Sequence, residues 1–250
     1  SFLSIIGVKG GAVAGRYAYT VDNATGLKVV DISNPSSPIS VGSVVLGAAP
    51  IDVIVAGRYA YVIDSTADDL KVIDVSNPAV PVVAGSVSLG SGTPVDLVVS
   101  GRYAYVIDSG SDDLKVIDIS NPTSPATAGT LSLGTVAPAD IAISGGYVYI
   151  VDTSSDDLKV VDVRNPATPT LSGSVSIGSV LISTIAVSGR YAYVGADSAG
   201  LKVFDVSNPA SPYLVGTLAI AATPRGVAVA GRYAYVTGSG AIYTIDISGI

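Results

Sequence analysis

The side chains able to do chemistry in this 250-residue chain are of few kinds. All 20 acidic residues are aspartates, set against 13 lysines and arginines, and there is no His, Cys, Met, Trp, Glu or Gln. Without a thiol there is no disulfide, no Cys or His zinc site and no cysteine nucleophile. Without His, no side chain titrates near neutrality in its ordinary state. Most familiar enzyme mechanisms are thereby excluded. What remains is carboxylate chemistry: oxygen clusters that suit calcium or a cationic ligand, or an acid pair of the kind that hydrolyses glycosides. The aspartates are patterned accordingly. Asp-x-x-x-Asp-Asp-Leu occurs three times, as Asp64, Asp68, Asp69, as Asp108, Asp112, Asp113, and as Asp152, Asp156, Asp157. Just upstream of each lies a further acid, Asp52, Asp96 or Asp140.

The aspartates recur because the chain does. Gly-Arg-Tyr-Ala-Tyr begins at Gly15, Gly57, Gly101, Gly189 and Gly231, with a degenerate Gly-Gly-Tyr-Val-Tyr at Gly145. Successive copies are 42, 44, 44, 44 and 42 residues apart, which makes six units. A second block, Leu-Lys-Val-Val-Asp-Ile-Ser-Asn-Pro, starts at Leu27 and returns in close variants at Leu70, Leu114, Leu158 and Leu201, with a looser sixth version from Ile242 to Ser248. A fixed period of this length signals a solenoid or a propeller. Runs of Val, Ile, Tyr and Thr between Gly, Pro, Asn and Asp, with no helical stripe, read as four short strands per unit. In the second unit they fall near 51–56, 58–64, 70–75 and 82–89.

Four antiparallel strands per repeat predict an all-β, six-bladed β-propeller. The reading is one domain over 1–250, with repeats starting near 10, 51, 95, 139, 183 and 225. Residues 1–6 are expected to supply the outer strand of the last blade, since the sixth unit stops at Ile250 where its neighbours run on through Asn-Pro. A linear stack would need polar capping repeats, and neither end reads as one. With 48% apolar residues there is ample material for a core, and a chain of this length buries roughly 75% of its unfolded surface.

Gly-Arg-Tyr-Ala-Tyr-Val-Ile-Asp at Gly57, followed by Leu-Lys-Val-Ile-Asp-Val-Ser-Asn-Pro at Leu70, resembles the LVIVD repeat of secreted and surface proteins of bacteria and archaea, and the match recurs along essentially the whole chain. The resemblance implies a propeller in an extracellular or cell-surface setting, and neither a reaction nor a particular ligand. The reduced alphabet departs from the family and is what an engineered or consensus repeat scaffold would also carry. The chain opens without Met and shows no signal peptide, as a mature product or a cut fragment would.

Propeller geometry sorts the loops into two faces. Strand 1–2 and 3–4 turns share the bottom face; strand 2–3 and 4–1 loops share the top. Arg16, Arg58, Arg102, Arg190 and Arg232, each following a turn Gly, therefore share a face with Asp31, Asp74, Asp118, Asp162, Asp205 and Asp246, which end strand 3. A ring of Arg–Asp pairs is the expectation, structural in role. Unit four has Gly146 in place of the Arg but carries Arg164 where the other five units have Ser, so Arg164 is expected to supply the missing cation. The Ser-Asn-Pro stretches read as turn chemistry. The Tyr-x-Tyr pairs read as core, and Tyr213 is the one aromatic placed in an outer strand.

The top face is asymmetric. Units two, three and four hold twelve carboxylates, whereas elsewhere Asp22 and Asp197 stand singly. Two readings follow: a calcium or cationic-ligand site that offsets the repulsion, or an Asp capping each tight turn in three recently duplicated units. No EF-hand spacing is present. A net charge of −7 argues against nucleic acid, and no apolar run reaches the ~18 residues of a membrane helix. The outer strands, such as 82–89 and 126–133, are uncharged and lack the Lys that protects edges.

The leading expectation is a non-enzymatic extracellular or surface module that binds a cation, a cationic ligand or a protein partner, with no required cofactor beyond, at most, calcium. The alternatives are self-association through outer edges, as in a lattice, fibre or virion surface, and a repeat scaffold without a ligand.

Overall fold

The computed structural model describes residues 7–47, 49–134, 137–178, 182–196, 199–220 and 223–249. It has the all-β architecture the repeat predicts, a six-bladed β-propeller, with no α-helix among the described residues. The chain forms two compact units, Ser1–Ala128 and Gly129–Ile250. The first carries β1 (Val8–Ala14), β2 (Tyr17–Asp22), β3 (Gly26–Asp31) and β4 (Ile39–Val44) in one sheet, and β5 (Pro50–Ala56), β6 (Tyr59–Asp64), β7 (Asp69–Asp74) and β8 (Val82–Ser88) in the next. A third sheet follows, of β9 (Pro94–Ser100), β10 (Tyr103–Asp108), β11 (Asp113–Asp118) and β12 (Ala126–Ser132), with the unit boundary in its last strand.

The second unit continues with β13 (Pro138–Ser144), β14 (Tyr147–Asp152), β15 (Asp157–Asp162) and β16 (Thr170–Ser176). Its next sheet is β17 (Ile182–Ser188), β18 (Tyr191–Ala196), β19 (Gly200–Asp205) and β20 (Tyr213–Leu218). The last has three described strands, β21 (Pro224–Ala230), β22 (Tyr233–Gly238) and β23 (Ala241–Asp246). Residues 1–6, expected as its fourth strand, lie outside the described residues.

Every sheet is an antiparallel meander in chain order, so all pairings are local hairpins. Observed strand bounds in the second sheet differ from the sequence reading by at most one residue. In the second, third and fourth sheets the second and third strands are buried on both faces: β6 is Tyr-Ala-Tyr-Val-Ile-Asp with its last five residues buried. That is why the motif reads as a continuous apolar run rather than an alternation. The core is a series of layers between successive sheets. In the first unit Tyr19, Val21, Leu27 and Val29 of one sheet pack with Val53 and Val62 of the next. In the second unit Tyr149, Leu158 and Val160 pack with Ile185 and Val194, and Tyr193, Leu201 and Val203 with Ala234 and Val236.

Each outer strand pairs with strand 3 through a bulge, for example between Val72 and Ile73, where the register passes from Gly85 to Val83. Beside that bulge the next blade's Asn-Pro turn presses onto the strand. A Cβ added at Gly85 would lie 2.6 Å from the Pro122 carbonyl oxygen, and one at Gly173 2.6 Å from that of Pro209. The Asn-Pro stretches thus close their own turns, with Val80 N bonded to the Asn77 carbonyl, and also cover part of a neighbouring edge. Gly216, the equivalent position in β20, has nothing within 4 Å among the described residues. Gly85→Ala should therefore cost about 1–3 kcal/mol in denaturant unfolding, while Gly216→Ala should stay within about 0.5 kcal/mol; equal effects would show that the turn does not press on the strand.

Candidate functional site

The acidic loops are built from two hairpin features. Strand 1 of each blade enters through a bulge, such as that between Pro50 and Asp52, which re-aims the following side chain. Strands 2 and 3 are joined by a loop whose last residue is left-handed: Asp68, Asp112 and Asp156 have φ of 48°, 53° and 52°. Short polar Asp is among the few side chains that tolerate that conformation, so the first acid of each Asp-Asp pair serves the turn.

In the first unit Asp64 and Asp108 are fully buried. Asp64 accepts N–H bonds from Thr66 and Ala67 at 2.9 and 3.0 Å, and from Ala49 at 3.4 Å. Asp108 accepts from Thr93, Gly110 and Ser111 at 2.7, 2.8 and 3.1 Å. Each carboxylate thereby ties its own 2–3 loop to the segment entering strand 1. Burial alone would push the Asp108 carboxyl up, but the N–H groups of Thr93, Ser111 and Gly110, helped by Lys115, hold it below the ordinary carboxylate range. The second acid of each pair takes a lysine: Lys71 is 2.5 Å from Asp69 and 4.0 Å from Asp64, and Lys115 contacts Asp113 and lies 3.5 Å from Asp108. Asp96 accepts from Leu97 N at 2.8 Å. Asp52 lies against the backbone of the preceding sheet, where a Cβ at Gly10 would meet its Oδ1 at 2.4 Å.

In the second unit Asp152 repeats the arrangement, with bonds from Ser154 N at 2.9 Å, the Ser155 hydroxyl at 2.7 Å and Ala137 N at 3.2 Å, and Lys159 at 3.0 Å. Lys159 also lies 3.7 Å from Asp157. Burial again opposes ionisation of Asp152, and the Ser155 hydroxyl and Lys159 outweigh it, so this carboxyl sits well below its usual value. Asp140 accepts Ile141 N through Oδ1 and, at 2.7 Å through Oδ2, Ile185 N of the next blade. One blade later Thr184 takes that place, its hydroxyl accepting Val227 N at 3.2 Å. The acids at the start of strand 1 are therefore placed for blade-to-blade bonding. Among the described residues no group of three acids is arranged to hold a metal ion; Asp197 lies outside them.

The opposite loops carry the Arg–Asp pairs. Arg16 pairs with Asp31, Arg58 with Asp74, Arg102 with Asp118, Arg190 with Asp205, and Arg232 with Asp246. In blade four Arg164 takes the place of the missing cation, its Nε 2.9 and 3.1 Å from the two Asp162 oxygens. The exchange has a steric basis. Gly146 has a φ of 80°, and a Cβ there would lie 2.7 Å from Arg164 Cγ, so the space that an Arg at 146 would start from is filled by Arg164. All six guanidinium groups sit 5.1–5.3 Å from a Tyr ring centroid, a cation–π contact made with the first Tyr of the motif. Tyr213 joins this set, donating from its hydroxyl to Asp205 at 3.1 Å. A cleft of about 510 Å³ lies on these loops in blade four, lined by Asp162, Arg164, Asn165, Thr168 and Thr170, and not on that blade's acidic loop.

Sequence reasoning missed the lysines. The signal was present, because Lys71, Lys115 and Lys159 each stand two residues after the Asp-Asp pair, on the strand that runs beneath it. It also missed the serine two residues after each strand-3 Asp outside blade four, whose N–H bonds back to the carboxylate as at Ser76 and Ser120.

Six meandering sheets, packed face to face within each unit and tied by these repeated polar contacts, define the molecule as a β-propeller. The LVIVD repeat model matches residues 9–45, 48–88, 91–132, 138–176, 182–219 and 223–249, and the chain belongs to the LVIVD repeat family. Among curated proteins there is no match. Of solved structures, a protein from Lactobacillus plantarum is similar at 17% identity, with a TM-score of 0.83 over 97% of this chain and 82% of that one. The periplasmic gluconolactonase PpgL of Pseudomonas aeruginosa is similar at 16% identity, with a TM-score of 0.78 over 96% and 82%. The computationally designed Ika8 protein follows at 12% identity, with a TM-score of 0.67 over 96% and 84%. At such identities the likeness is one of fold.

The Arg–Asp loops make folding pH-dependent. The Ser76 hydroxyl, then the Arg58 guanidinium and the Ser76 N–H, hold Asp74 at about 2; Asp31 and Asp118 sit at about 2 for the same reasons. A carboxyl lowered in the folded state contributes stability that is complete above its unfolded value of about 3.9 and is lost as pH falls through the folded one. Thermal melts should therefore decline from about pH 4 towards pH 2, and changing Asp31, Asp74 and Asp118 together to Asn should lower the melt at neutral pH and flatten that decline. An unchanged slope would remove these carboxylates from the acid transition.

Proposed function

We propose that the protein is a non-enzymatic interaction module, presented outside the cell, which recognises a cationic segment of a partner through the acidic loops of blades two and three. The observation that carries the reading is Asp68: its Oδ1 is buried and has no hydrogen-bond partner among the described residues, on a loop whose neighbouring carboxylates share a single lysine. Within blades two and three, Asp52, Asp64, Asp68, Asp69, Asp96, Asp108, Asp112 and Asp113 stand against Lys71 and Lys115. That surplus of negative charge costs stability and attracts cations. Blade four carries the same kind of loop in its own unit.

The absence of a three-acid metal group among the described residues favours a lysine or arginine side chain over a chelated ion. The buried carboxylates Asp108 and Asp152 are both held below the ordinary carboxylate range and accept backbone N–H groups, which supports a binding role rather than an acid–base one. The extracellular setting is supported by the family, whose repeats resemble those of secreted and surface proteins.

Asp68→Asn with Asp112→Asn is the discriminating variant, since Asn keeps the left-handed turn and removes only charge. Calorimetric titration with an oligolysine peptide at low salt should show binding to the unaltered protein, weakened in the variant by up to roughly fivefold per carboxylate, in line with ~1 kcal/mol for an exposed ion pair, and suppressed by added salt. Heat with calcium and none with oligolysine would replace the partner segment by a small cation. No heat with either would sink the reading and return these acids to turn chemistry.

A further inference from the structure

The turn between strands 3 and 4 builds the same cleft in two blades and lines it differently. In blade two it holds about 340 Å³ and is lined by Asp74, Ser76 and Asn77 together with Val80, Val82 and Ala84. In blade four it widens to about 510 Å³ and every lining side chain is polar. Thr168 and Thr170 stand where blade two has Val80 and Val82, and Arg164 where it has Ser76. The ladder fixes the equivalence, since Thr170 is the strand partner of Asp162 as Val82 is of Asp74. Blades one, three and five have Ile39, Ala126 and Tyr213 at that position, so only blade four places an aliphatic hydroxyl across from the strand-3 acid.

The exchange of Arg164 for an Arg at 146 bears directly on this cleft. Arg58, the cation of blade two, pairs with Asp74 but is not part of the cleft lining there. Arg164 makes the equivalent pair and the equivalent contact with a Tyr ring, that of Tyr147 at 5.1 Å, and also lines the cleft. Its Nε and one terminal nitrogen meet the Asp162 oxygens. The other terminal nitrogen carries two further donors that the pair does not require, on a side chain that is 64% exposed. Asp162, held below the ordinary carboxylate range chiefly by Arg164, is an acceptor at neutral pH. Asn165 uses its side-chain oxygen on Ala167 N at 3.3 Å, so its NH₂ is the half of the amide that a ligand meets. The two threonine hydroxyls both donate and accept.

These walls select by chemistry. An apolar ligand would strip water from five polar side chains without replacing their hydrogen bonds. A charged ligand gains little, because the one cation and the one anion of the lining already neutralise each other. What matches mixed donors and acceptors of no net charge is an uncharged molecule dense in hydroxyl groups. The volume lies within the roughly 300–1,000 Å³ usual for small-molecule sites. We propose that the cleft at the 3–4 turn of blade four is a binding site for a neutral saccharide, with Asp162, Arg164 and Asn165 meeting its hydroxyl groups and Thr168 and Thr170 completing the contact. The site is built within one sheet and does not depend on what the acidic loops bind.

Saturation-transfer difference NMR on the full chain tests this, with titrations of glucose-, mannose- and galactose-based neutral hexasaccharides and of a glucuronic-acid oligosaccharide as the charged control. At least one neutral hexasaccharide should give saturable transfer and the control none. Thr168→Val with Thr170→Val, which installs the residues of blade two, should leave the melting temperature unchanged and weaken binding roughly tenfold, the effect of two lost hydrogen bonds. Gly146→Arg with Arg164→Ser, which restores the arrangement of the other blades and takes the guanidinium out of the lining, should weaken it in the same direction. Should that second variant fail to fold, the threonine pair decides alone. No transfer from any neutral hexasaccharide, transfer unchanged in the threonine variant, or transfer confined to the charged control overturns the proposal.

Discussion

Everything in this molecule depends on covering both faces of a small sheet. A four-stranded antiparallel meander of six- or seven-residue strands has too little interior of its own to be stable, and its middle strands here are apolar on both sides. Among the described residues neighbouring sheets supply that cover, so the Tyr, Leu and Val of one blade and the Val, Leu or Ile of the next strand 1 meet. The repeat follows from that need: every blade must present both a knob-bearing strand 1 and a receiving pair of strands.

Polar residues then fix the spacing that the apolar layers leave soft. The strand-1 acid, or Thr184 in its place, takes an N–H from the next blade, as Asp140 does from Ile185. The buried acid at the end of strand 2 gathers N–H groups from two loops that would otherwise leave them unpaired. On the other face each strand-3 acid takes a serine N–H or, in blade four, that of Arg164, together with a guanidinium laid over a tyrosine. The blades tolerate exchange within this scheme only when the partner moves too. Arg164 and Gly146 change together because one occupies the volume from which the other would grow.

Much of this was legible in the residues. The period, the four strands, the two-faced burial of Tyr-Ala-Tyr-Val-Ile-Asp and the shared face of Arg58 and Asp74 all follow from spacing and from the two-residue alternation of strands. The Gly146 and Arg164 exchange was visible as a missing and a gained cation in one unit. What spacing could not tell was direction. Asp52 and Asp68 are the same residue type, yet one lies against the neighbouring sheet at Gly10 and the other turns left-handed at a loop end, and that depends on a bulge and a φ angle rather than on composition. Nor does spacing show that Lys71 reaches both Asp69 and Asp64.

The same direction problem bears on how a charge-rich loop can bind anything. An acid that already receives two or three N–H groups is committed to the fold: its charge is stabilised, and protonating or chelating it would first undo the loop, even where, as at Asp108, the second oxygen has no hydrogen-bond partner among the described residues. Asp64, Asp108 and Asp152 are of that kind. An acid held by the backbone only through its φ, such as Asp68, keeps its lone pairs and contributes field without being needed as an acceptor. Division of labour between the two acids, one spent on the fold and one left to the surroundings, is what lets a loop be both rigid and attractive to a cation. That division, more than the number of carboxylates, separates a loop that can act from one that only turns.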